Sequence, residues 1–512
     1  MSTKQKLRRY HAPVWDEPLI MEMGVAGRRG CHFSTVNEDV IELIPATMRR
    51  KSKPDLPEMS EPDVLRHYLH LSQETLGMMG INLFGTCTMK YNPRLTEALT
   101  ARPQIADIHP NQHSDTLQGV LEIIYNFDIL LRELSGMDQF TFQPAGGADA
   151  AYTQACITRA YHAANGELQQ RNQIITSIQT HPCNPATSAT AGFEVVTLML
   201  DDNGYPSLDA LKAATSEKTA ALMITNPDDM GIYNPDIKKW VDIVHDAGGL
   251  CFYDHANFNG VMSKLRAREL GFDACMFMLH KTFGASKGGG GPAAGAYGCT
   301  TELSKYLPGP IVTKDGSKFI LTDNSPDSIG RVREYWGNVQ QIVKAYAWTR
   351  AMGANGINEA ANMSVLLNNY MEKDLLKIRG VTRSYPDIKG WRIEMTRYSL
   401  GQLYEDTGVT AIDVQHRMVD FGIDAFWLSH EPWIVPQPFT PEAGETWSKE
   451  DIDYWIAVLQ HISDEAYSNP EIVTTAPHNQ AIHKLNPESL DDPDRWAMTW
   501  RAFKRKQAAR KK

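Results

Sequence analysis

At 512 residues, the chain is long enough for two or more domains, or for one large domain with a smaller one. Its hydrophobic fraction of 42% and its charged fraction of 22% are typical of folded globular proteins and exclude the disordered and fibrous classes. A net charge of −10 disfavours nucleic-acid binding, because phosphate contacts need clustered Lys and Arg.

The seven cysteines are scattered, with no C-x-x-C pair and no spacing typical of metal ligands. This usage indicates a reduced compartment and no metal site. The N-terminus carries charges but no apolar stretch behind them, and no segment approaches the ~18 apolar residues of a membrane span. We therefore expect a soluble cytoplasmic protein with neither a membrane nor a nucleic acid as partner.

The first half of the chain changes from irregular sequence to regular alternation. Residues 1–70 are punctuated by prolines, which predicts an N-terminal arm. Residues 138–298 alternate short apolar runs with helical segments, and the strand candidates are NQIITSI, EVVTLML, TAALMIT, GLCFYD and DACMFML. Such alternation is typical of βαβ units. It predicts an α/β fold with a mostly parallel sheet, in a large domain over 71–310.

Beyond residue 300 the alternation stops. A hairpin with its turn at Asp315-Gly316 is followed by a long helix predicted from about Asn338 to Met352. Mixed helical and extended segments come next. This order predicts a smaller α+β domain over 311–512.

Polar residues follow the predicted strands at their carboxyl ends. Asp254 ends GLCFYD, His181 follows NQIITSI, Asn226 follows TAALMIT, and His280 and Lys281 follow DACMFML. The ligand of an open α/β sheet lies beyond this edge. We therefore expect groups from four strand ends to converge on one crevice.

Lys281 is the reactive candidate among these groups. A lysine that leaves an apolar strand is partly desolvated, which favours the neutral amine and Schiff-base chemistry with a carbonyl. Asp254 would hold the pyridine nitrogen of pyridoxal 5'-phosphate (PLP) protonated, and His181 offers a ring to stack on it. The four glycines at 288–291 would let backbone approach a cofactor closely. PLP is the leading interpretation, while each residue alone also fits an ordinary surface or turn position.

The stretch PAGGADAAY is a candidate phosphate cradle. Gly146, Gly147 and Ala148 lead into a helical pattern, and backbone N–H groups at a helix start bind phosphate. A simple tight turn is the alternative interpretation. A nucleotide P-loop is excluded, because G-x-x-x-x-G-K-[ST] does not occur.

Long ordered segments resemble the glycine dehydrogenase (decarboxylating) family, the P-protein of the glycine cleavage system, and specifically its separate C-terminal half, subunit 2. They include EPLIMEMGVAGRRG, NLFGTCTMKYNPRL, FQPAGGADAAY, TNPDDMGIY, LHKTFGASKGGGGPAAG and SIGRVREYWGN. The resemblance implies a fold-type I PLP enzyme, similar to aspartate aminotransferase. It implies Lys281 as the Schiff-base lysine, Asp254 on the pyridine nitrogen, His181 on the ring, Gly146, Gly147 and Ala148 at the phosphate, and Asn226 and Thr282 as weaker cofactor contacts.

The same resemblance implies an activity and partners. The family decarboxylates glycine and transfers the aminomethyl group to a lipoyl-bearing H-protein. Its separate subunit 2 works with a homologous subunit 1, so a hetero-oligomer with two copies of each would follow.

The chain departs from the family pattern on the substrate side. The family's Gly-Thr after the histidine is Pro182-Cys183, the Gly after the aspartate is His255, and STPH before the glycines ends here in Lys287. Cys183, His255 and Lys287 are therefore predicted to face the substrate, and Arg333 is the candidate for binding its carboxylate. Two alternatives stay open: a diverged PLP enzyme that acts on another amino acid without a lipoyl partner, and a non-catalytic scaffold subunit.

Overall fold

The computed structural model describes residues 5–510, apart from 33, 53, 55, 76–79, 84, 86–89, 287–292, 324, 427, 431–432 and 485–499. The chain forms two compact units. Unit 1 comprises Met1–Ile81, Asp413–Asp424 and Asn469–Lys512, and unit 2 comprises Asn82–Ile412 and Ala425–Ser468. The domain boundaries expected at residues 70 and 310 stay a prediction.

Unit 2 is built on a seven-stranded sheet. Its strands are β1 (Gln139–Thr141), β2 (Gln173–Ser177), β3 (Glu194–Leu198), β4 (Thr219–Thr225), β5 (Leu250–His255), β6 (Ala274–Met278) and β7 (Gly295–Cys299). The spatial order is β1-β7-β6-β5-β4-β2-β3. Strands β6, β5, β4, β2 and β3 are parallel, while β7 runs antiparallel to β6 and to β1. The five predicted strands all form, and the prediction of a mostly parallel sheet is confirmed.

Helices cover this sheet, and its central strands are buried throughout. In β5 the side chains alternate between two apolar clusters: Cys251 and Tyr253 pack on one side, and Leu250 and Phe252 on the other. The α-helices of unit 2 are Arg94–Thr100, Pro103–Ala106, Gln118–Ser135, Gly147–Ala164, Cys183–Thr190, Leu208–Ala214, Ile237–Asp246, Thr301–Ser304, Val339–Leu375, Gly401–Thr407 and Lys449–Ser468. Buried parallel strands of this kind are the reason why the sequence shows continuous apolar runs rather than strict alternation.

The later part of unit 2 contains two smaller sheets. One is the predicted hairpin, Ile311–Asp315 with Lys318–Thr322, and the other joins Thr382–Arg383, Tyr398–Ser399 and Pro438–Phe439. The predicted long helix extends over Val339–Leu375 and changes direction at Gly353, whose φ of 60° is outside the helical range. The helix predicted from about Asn338 to Met352 therefore corresponds to the segment before this glycine, and a second helical segment continues from it to Leu375.

Unit 1 contains short helices joined by irregular chain. Its α-helices are Glu38–Glu42, Glu61–Gln73, Glu471–Thr474, Trp500–Arg510 and most of Ala411–Met418, and the short strands Ile81–Asn82 and Ile423–Ala425 lie at the sequence boundaries of the units. In the N-terminal segment, Glu17 contacts both His67 and His70 of Glu61–Gln73, and Trp15 stacks on His70 with ring centroids 3.8 Å apart. No helix formed by the described residues is long and apolar enough to cross a membrane.

Candidate active site

Lys281 and Asp254 lie at the carboxyl ends of two neighbouring strands. Asp254 is the penultimate residue of β5, and Lys281 follows β6 in a tight turn in which its N–H donates to the Met278 carbonyl at 3.0 Å. Lys281 is 6% exposed and Asp254 is 1% exposed. The Lys281 ammonium is close enough to lower the pKa of Asp254. The structure therefore brings the two predicted residues together in a buried setting.

The Asp254 carboxylate is held by two donors. Oδ1 accepts from the Ala256 N–H and Oδ2 accepts from the Asn184 side-chain amide, each at 2.9 Å. Burial raises the pKa of Asp254, and these two donors act in the opposite direction, as Lys281 does. Asn184 was not predicted from the sequence. It is fully buried on the helix Cys183–Thr190, and it fixes the direction in which the carboxylate points.

His181 lies in the turn after β2 with its protonation state defined by its surroundings. Nδ1 accepts from the Cys183 N–H at 3.1 Å, which leaves the hydrogen of the neutral ring on Nε2. Burial, with Lys281 nearby, lowers the pKa of His181 to about 4. The ring packs edge-on against His430, with centroids 4.6 Å apart. His181 is thus a neutral flat ring at neutral pH.

Cys183 lies next to these groups but is not a thiolate. Burial raises the pKa of its thiol, and Asp254 raises it further, while Lys281 acts against them. A nucleophilic cysteine needs the opposite environment, which stabilises the thiolate. Cys183 therefore contributes a neutral thiol to the lining of the site.

The predicted phosphate cradle lies at the same edge of the sheet. Gly147 begins the helix Gly147–Ala164, and a Cβ added to it would lie 3.6 Å from Sδ of Met278, the last residue of β6. A Cβ added to Gly146 would meet nothing within 4 Å. The first N–H groups of a helix lack intrahelical acceptors, so this turn presents backbone donors to open space, including that of Ala148. An anion fits there.

Arg333 lies at this helix start, with a carboxylate as its partner. Its Nε is 2.8 Å from Oδ2 of Asp149, which also accepts from the Ala145 N–H at 3.1 Å. The Arg333 side chain is 49% exposed. An arginine that is half-exposed and paired in this way neutralises Asp149, which is a different task from the predicted one of binding a substrate carboxylate.

A second arginine, Arg397, is far more deeply buried. It directly precedes Tyr398–Ser399, the middle strand of the three-stranded sheet, and is 2% exposed. Nη1 donates to Gln179 Oε1 at 2.6 Å and Nε donates to Thr440 Oγ1 at 3.1 Å, whereas Nη2 has no partner among the described residues. Gln179 precedes His181 by two positions, so the guanidinium is anchored at the turn that carries His181. The open Nη2 is suited to a carboxylate.

Asp229 is a second charged residue close to Arg397. It is 6% exposed, and no hydrogen bond or ion pair reaches its carboxylate from the described part of the chain. Burial raises the pKa of Asp229, while Arg397, His181 and Lys281 act to lower it. Asp229 lies in the turn after β4, where its neighbour Asp228 accepts from the N–H groups of Met230 at 2.9 Å and Ile232 at 3.0 Å.

Two predicted cofactor contacts are engaged with the protein itself. Asn226 forms a ring with Asn234, accepting from its N–H at 2.8 Å and donating to its carbonyl at 3.3 Å. The Thr282 hydroxyl accepts from the Phe258 N–H at 3.0 Å. Both side chains hold the turns that carry the site residues. To contact a cofactor as well, each side chain would have to form a further hydrogen bond beside these.

His255 is not at the site, contrary to its predicted substrate-side position. Its ring lies 3.6 Å from that of Tyr253 and 4.9 Å from that of Phe258, within the apolar cluster on the other face of the sheet from Asp254. Consecutive strand residues point to opposite faces, which is the physical reason. Burial lowers the pKa of His255 to about 3. Lys287 and the four glycines lie outside the described residues.

Solved structures of known enzymes share this architecture. The aminotransferase class-V family model matches residues 151–290. A glycine decarboxylase (P-protein) of the glycine cleavage system, in inhibitor-bound form, is 21% identical with a TM-score of 0.70, over 84% of this chain and 95% of that one. The Escherichia coli cysteine desulfurase CsdA is 17% identical with a TM-score of 0.57, over 76% and 94%. At these identities the likeness shows the fold.

Sequence relatives are much more similar. A Pyrococcus furiosus protein named "Probable glycine dehydrogenase (decarboxylating) subunit 2" is 42% identical over 493 residues, which is 96% of this chain and 97% of that one. Proteins of the same name from Thermococcus gammatolerans and Staphylococcus aureus are 43% and 39% identical, over 92% of this chain and 94% and 95% of theirs. The chain belongs to the glycine dehydrogenase (decarboxylating) subunit 2 family.

Membership of the glycine dehydrogenase subunit 2 family confirms the predicted resemblance, the fold class and the assignment as an enzyme of this kind. The site residues are a separate question, which the geometry addresses. Lys281, Asp254, His181, Cys183 and the Gly146-Gly147 turn lie at one edge of the sheet. Asn184, Arg397 and Asp229 join them there, and sequence reasoning did not single out these three.

Proposed function

We propose that this protein is a PLP-dependent glycine decarboxylase, working as the second subunit of a glycine cleavage enzyme. The observation that carries the proposal is the placement of Lys281 and Asp254, both buried, at adjacent strand ends beside the open helix start at Gly147. A lysine amine, a fixed carboxylate and a backbone anion site are the three contacts that PLP needs. When bound, PLP withdraws electrons from a substrate carbon that carries an amine.

Each residue of the site would have a distinct task. The Lys281 amine would bind the cofactor, and the Asp254 carboxylate would keep a proton on the pyridine nitrogen. The neutral His181 ring would lie flat against the cofactor, since a charged ring would oppose that proton. The N–H groups of Gly146, Gly147 and Ala148 would hold the phosphate, and Arg333 would offset the negative charge that Asp149 brings to the same turn.

Arg397 would bind the carboxylate of glycine. A buried guanidinium whose Nη2 has no partner among the described residues is costly unless a ligand supplies an acceptor. Arg397 is anchored by Gln179 and Thr440, so it would hold the carboxylate in one orientation before CO₂ leaves. The relatives are named as glycine dehydrogenases, which supports glycine as the substrate, and as subunit 2, which supports a subunit 1 as a partner. We propose a lipoyl-bearing H-protein as the acceptor.

The test is the exchange of labelled bicarbonate into the carboxyl group of glycine. We expect exchange that needs PLP, the H-protein and subunit 1 together, and we expect Arg397→Gln to raise the glycine KM by about 10- to 100-fold, as loss of a charge-assisted bond predicts. Asp242→Asn, on the exposed face of Ile237–Asp246, is the control. Exchange with another amino acid but not glycine would favour a diverged enzyme of the same fold. No bound PLP at all would favour a scaffold subunit.

A further inference from the structure

A second buried charged residue, Asp229, lies close enough to Arg397 to affect its pKa. Arg397 and Asp229 are both more than nine-tenths buried and carry opposite charges, yet no ion pair within 4.0 Å joins them among the described residues. Each influences the pKa of the other through space. Buried charges without an ion pair are costly, and a ligand that carries both an ammonium and a carboxylate would compensate both of them.

The backbone fixes Asp229 beside Arg397. The Ile393 N–H donates to the Gly231 carbonyl at 3.0 Å, and a Cβ on Gly231 would lie 1.8 Å from the Met395 carbonyl oxygen. A backbone hydrogen bond and a close backbone approach thus join the turn that carries Asp229 to the segment that leads into Arg397. Within the turn, Asp228 accepts two N–H groups, so its conformation is set without help from Asp229. In the part of the chain that the structure describes, no such bond holds the Asp229 side chain.

We infer that Asp229 is a specificity-determining residue that receives the ammonium group of the incoming amino acid while Arg397 receives its carboxylate. This inference rests on the proposed function and concerns the first, non-covalent complex, before any bond to the substrate amine forms. The titratable groups that interact electrostatically with Asp229 are Arg397, Lys281, His181, Asp254 and the neighbouring Asp228. The site would then select small zwitterions and reject ligands that carry a carboxylate without an amine.

The carboxylate of Asp229 has opposite effects on two kinds of ligand. It attracts an ammonium and repels a carboxylate, and both effects are strong in a buried site. A ligand with both groups gains from Asp229, whereas acetate loses. Removing the charge should therefore move the two affinities in opposite directions, which a loss of local structure would not do.

The experiment uses holoprotein in which borohydride has locked the bond between Lys281 and the cofactor, so that ligands bind only non-covalently. Calorimetry then gives affinities for glycine, acetate and methylamine. In the unaltered protein we expect glycine to bind about tenfold more tightly than acetate, the size of one charge-assisted hydrogen bond. In Asp229→Asn we expect glycine and methylamine to weaken about tenfold and acetate to bind as well or more tightly. Asp242→Asn should match the unaltered protein.

Three outcomes would overturn the inference: glycine and acetate weakening together in Asp229→Asn, glycine binding unchanged in that variant, or acetate matching glycine in the unaltered protein. The last comparison needs no variant and holds even if Asp229→Asn fails to fold. Failure of the proposed function would look different. Borohydride would then fix no cofactor to the protein, or Arg397→Gln would leave acetate affinity unchanged.

Discussion

The two ends of the candidate site differ in whether their buried charged groups already have hydrogen-bond partners. At the Asp254 end, both carboxylate oxygens already have N–H donors, from Ala256 and Asn184. At the Arg397 end, Nη2 of the arginine and the carboxylate of Asp229 have no partner among the described residues. The first end is complete without a ligand and would hold a cofactor in one geometry. The second end is complete only when a ligand arrives, as expected of a group that binds and releases substrate.

Lys281 lies between the two ends, and its loss should have the largest effect. Lys281→Ala removes the amine that would attach the cofactor, so we expect activity to fall about 10²- to 10⁴-fold, the range usual for removing one reacting group. The measurement is the visible absorbance of the bound cofactor together with the exchange rate. Lys238→Ala, on the exposed face of Ile237–Asp246, is the control. An unchanged absorbance band in Lys281→Ala would disprove the assignment of this lysine.

At the Asp254 end, removal of a partner should cost stability. Asn184→Ala leaves Asp254 Oδ2 without its donor in a buried place, so we expect a loss of about 1–3 kcal/mol in the free energy of unfolding, measured in urea. The pKa of Asp254 should rise further, because the Asn184 amide lowers it. Weaker retention of the cofactor would follow. Thr190→Ala, near the end of the same helix and exposed, should change neither quantity.

At the Arg397 end, we expect removal of the charged groups to leave the free energy of unfolding unchanged or to raise it. The double variant Arg397→Met, Asp229→Asn removes two buried, opposite charges that form no ion pair with each other among the described residues, together with the Arg397 hydrogen bonds to Gln179 and Thr440. Replacement of buried opposite charges is often neutral or stabilising by about 1–4 kcal/mol, and the two lost hydrogen bonds offset part of that gain. The variant should unfold at the same or a higher urea concentration while glycine binding is lost. A stability loss comparable to that of Asn184→Ala would show that this end, too, is held together by its own contacts.

Much of this arrangement follows from the sequence. The strands are continuous apolar runs, and parallel strands bring their carboxyl ends to one edge, so the sequence predicts that Asp254, His181 and Lys281 lie at that edge, where the structure has them. Gly147 opens a helix as the pattern PAGGADAAY indicated. These features are local, or depend on a general rule of sheet topology, and one sequence is enough to predict them.

The residues that sequence reasoning missed depend on contacts between distant parts of the chain. Arg397 meets Gln179 across 218 positions, and Asn184 meets Asp254 across 70. No local pattern reports such pairs. Asp229 does have a signal in the sequence, because it is the second of two consecutive acidic residues in the turn that follows a buried strand. Arg333 is the only arginine predicted from the sequence to bind the substrate carboxylate, and the sequence does not show that Arg333 is half-exposed whereas Arg397 is buried.

The position of His255 follows from the alternation of side chains along a β-strand. This residue comes after Asp254 in the same strand, so its side chain must point to the opposite face, where it lies among Tyr253, Phe258 and Phe277. Neither ring nitrogen has a partner among the described residues. A histidine in such surroundings acts as an apolar ring, and its replacement by another apolar ring should leave the site intact.

His255→Phe should therefore have the smallest effect at neutral pH, within about 1.5 kcal/mol of the unaltered protein. The difference should grow in acid. The pKa of His255 is about 3 in the folded protein against an ordinary value of 6.5, so between these values only the unfolded chain takes up the proton. Unfolding of the unaltered protein is favoured by up to about 1.4 kcal/mol per pH unit below 6.5, and the Phe variant lacks this term. Urea unfolding of both proteins between pH 7.5 and 5 measures it. A difference that does not change with pH, or a tenfold loss of exchange activity in the variant, would place His255 at the site after all.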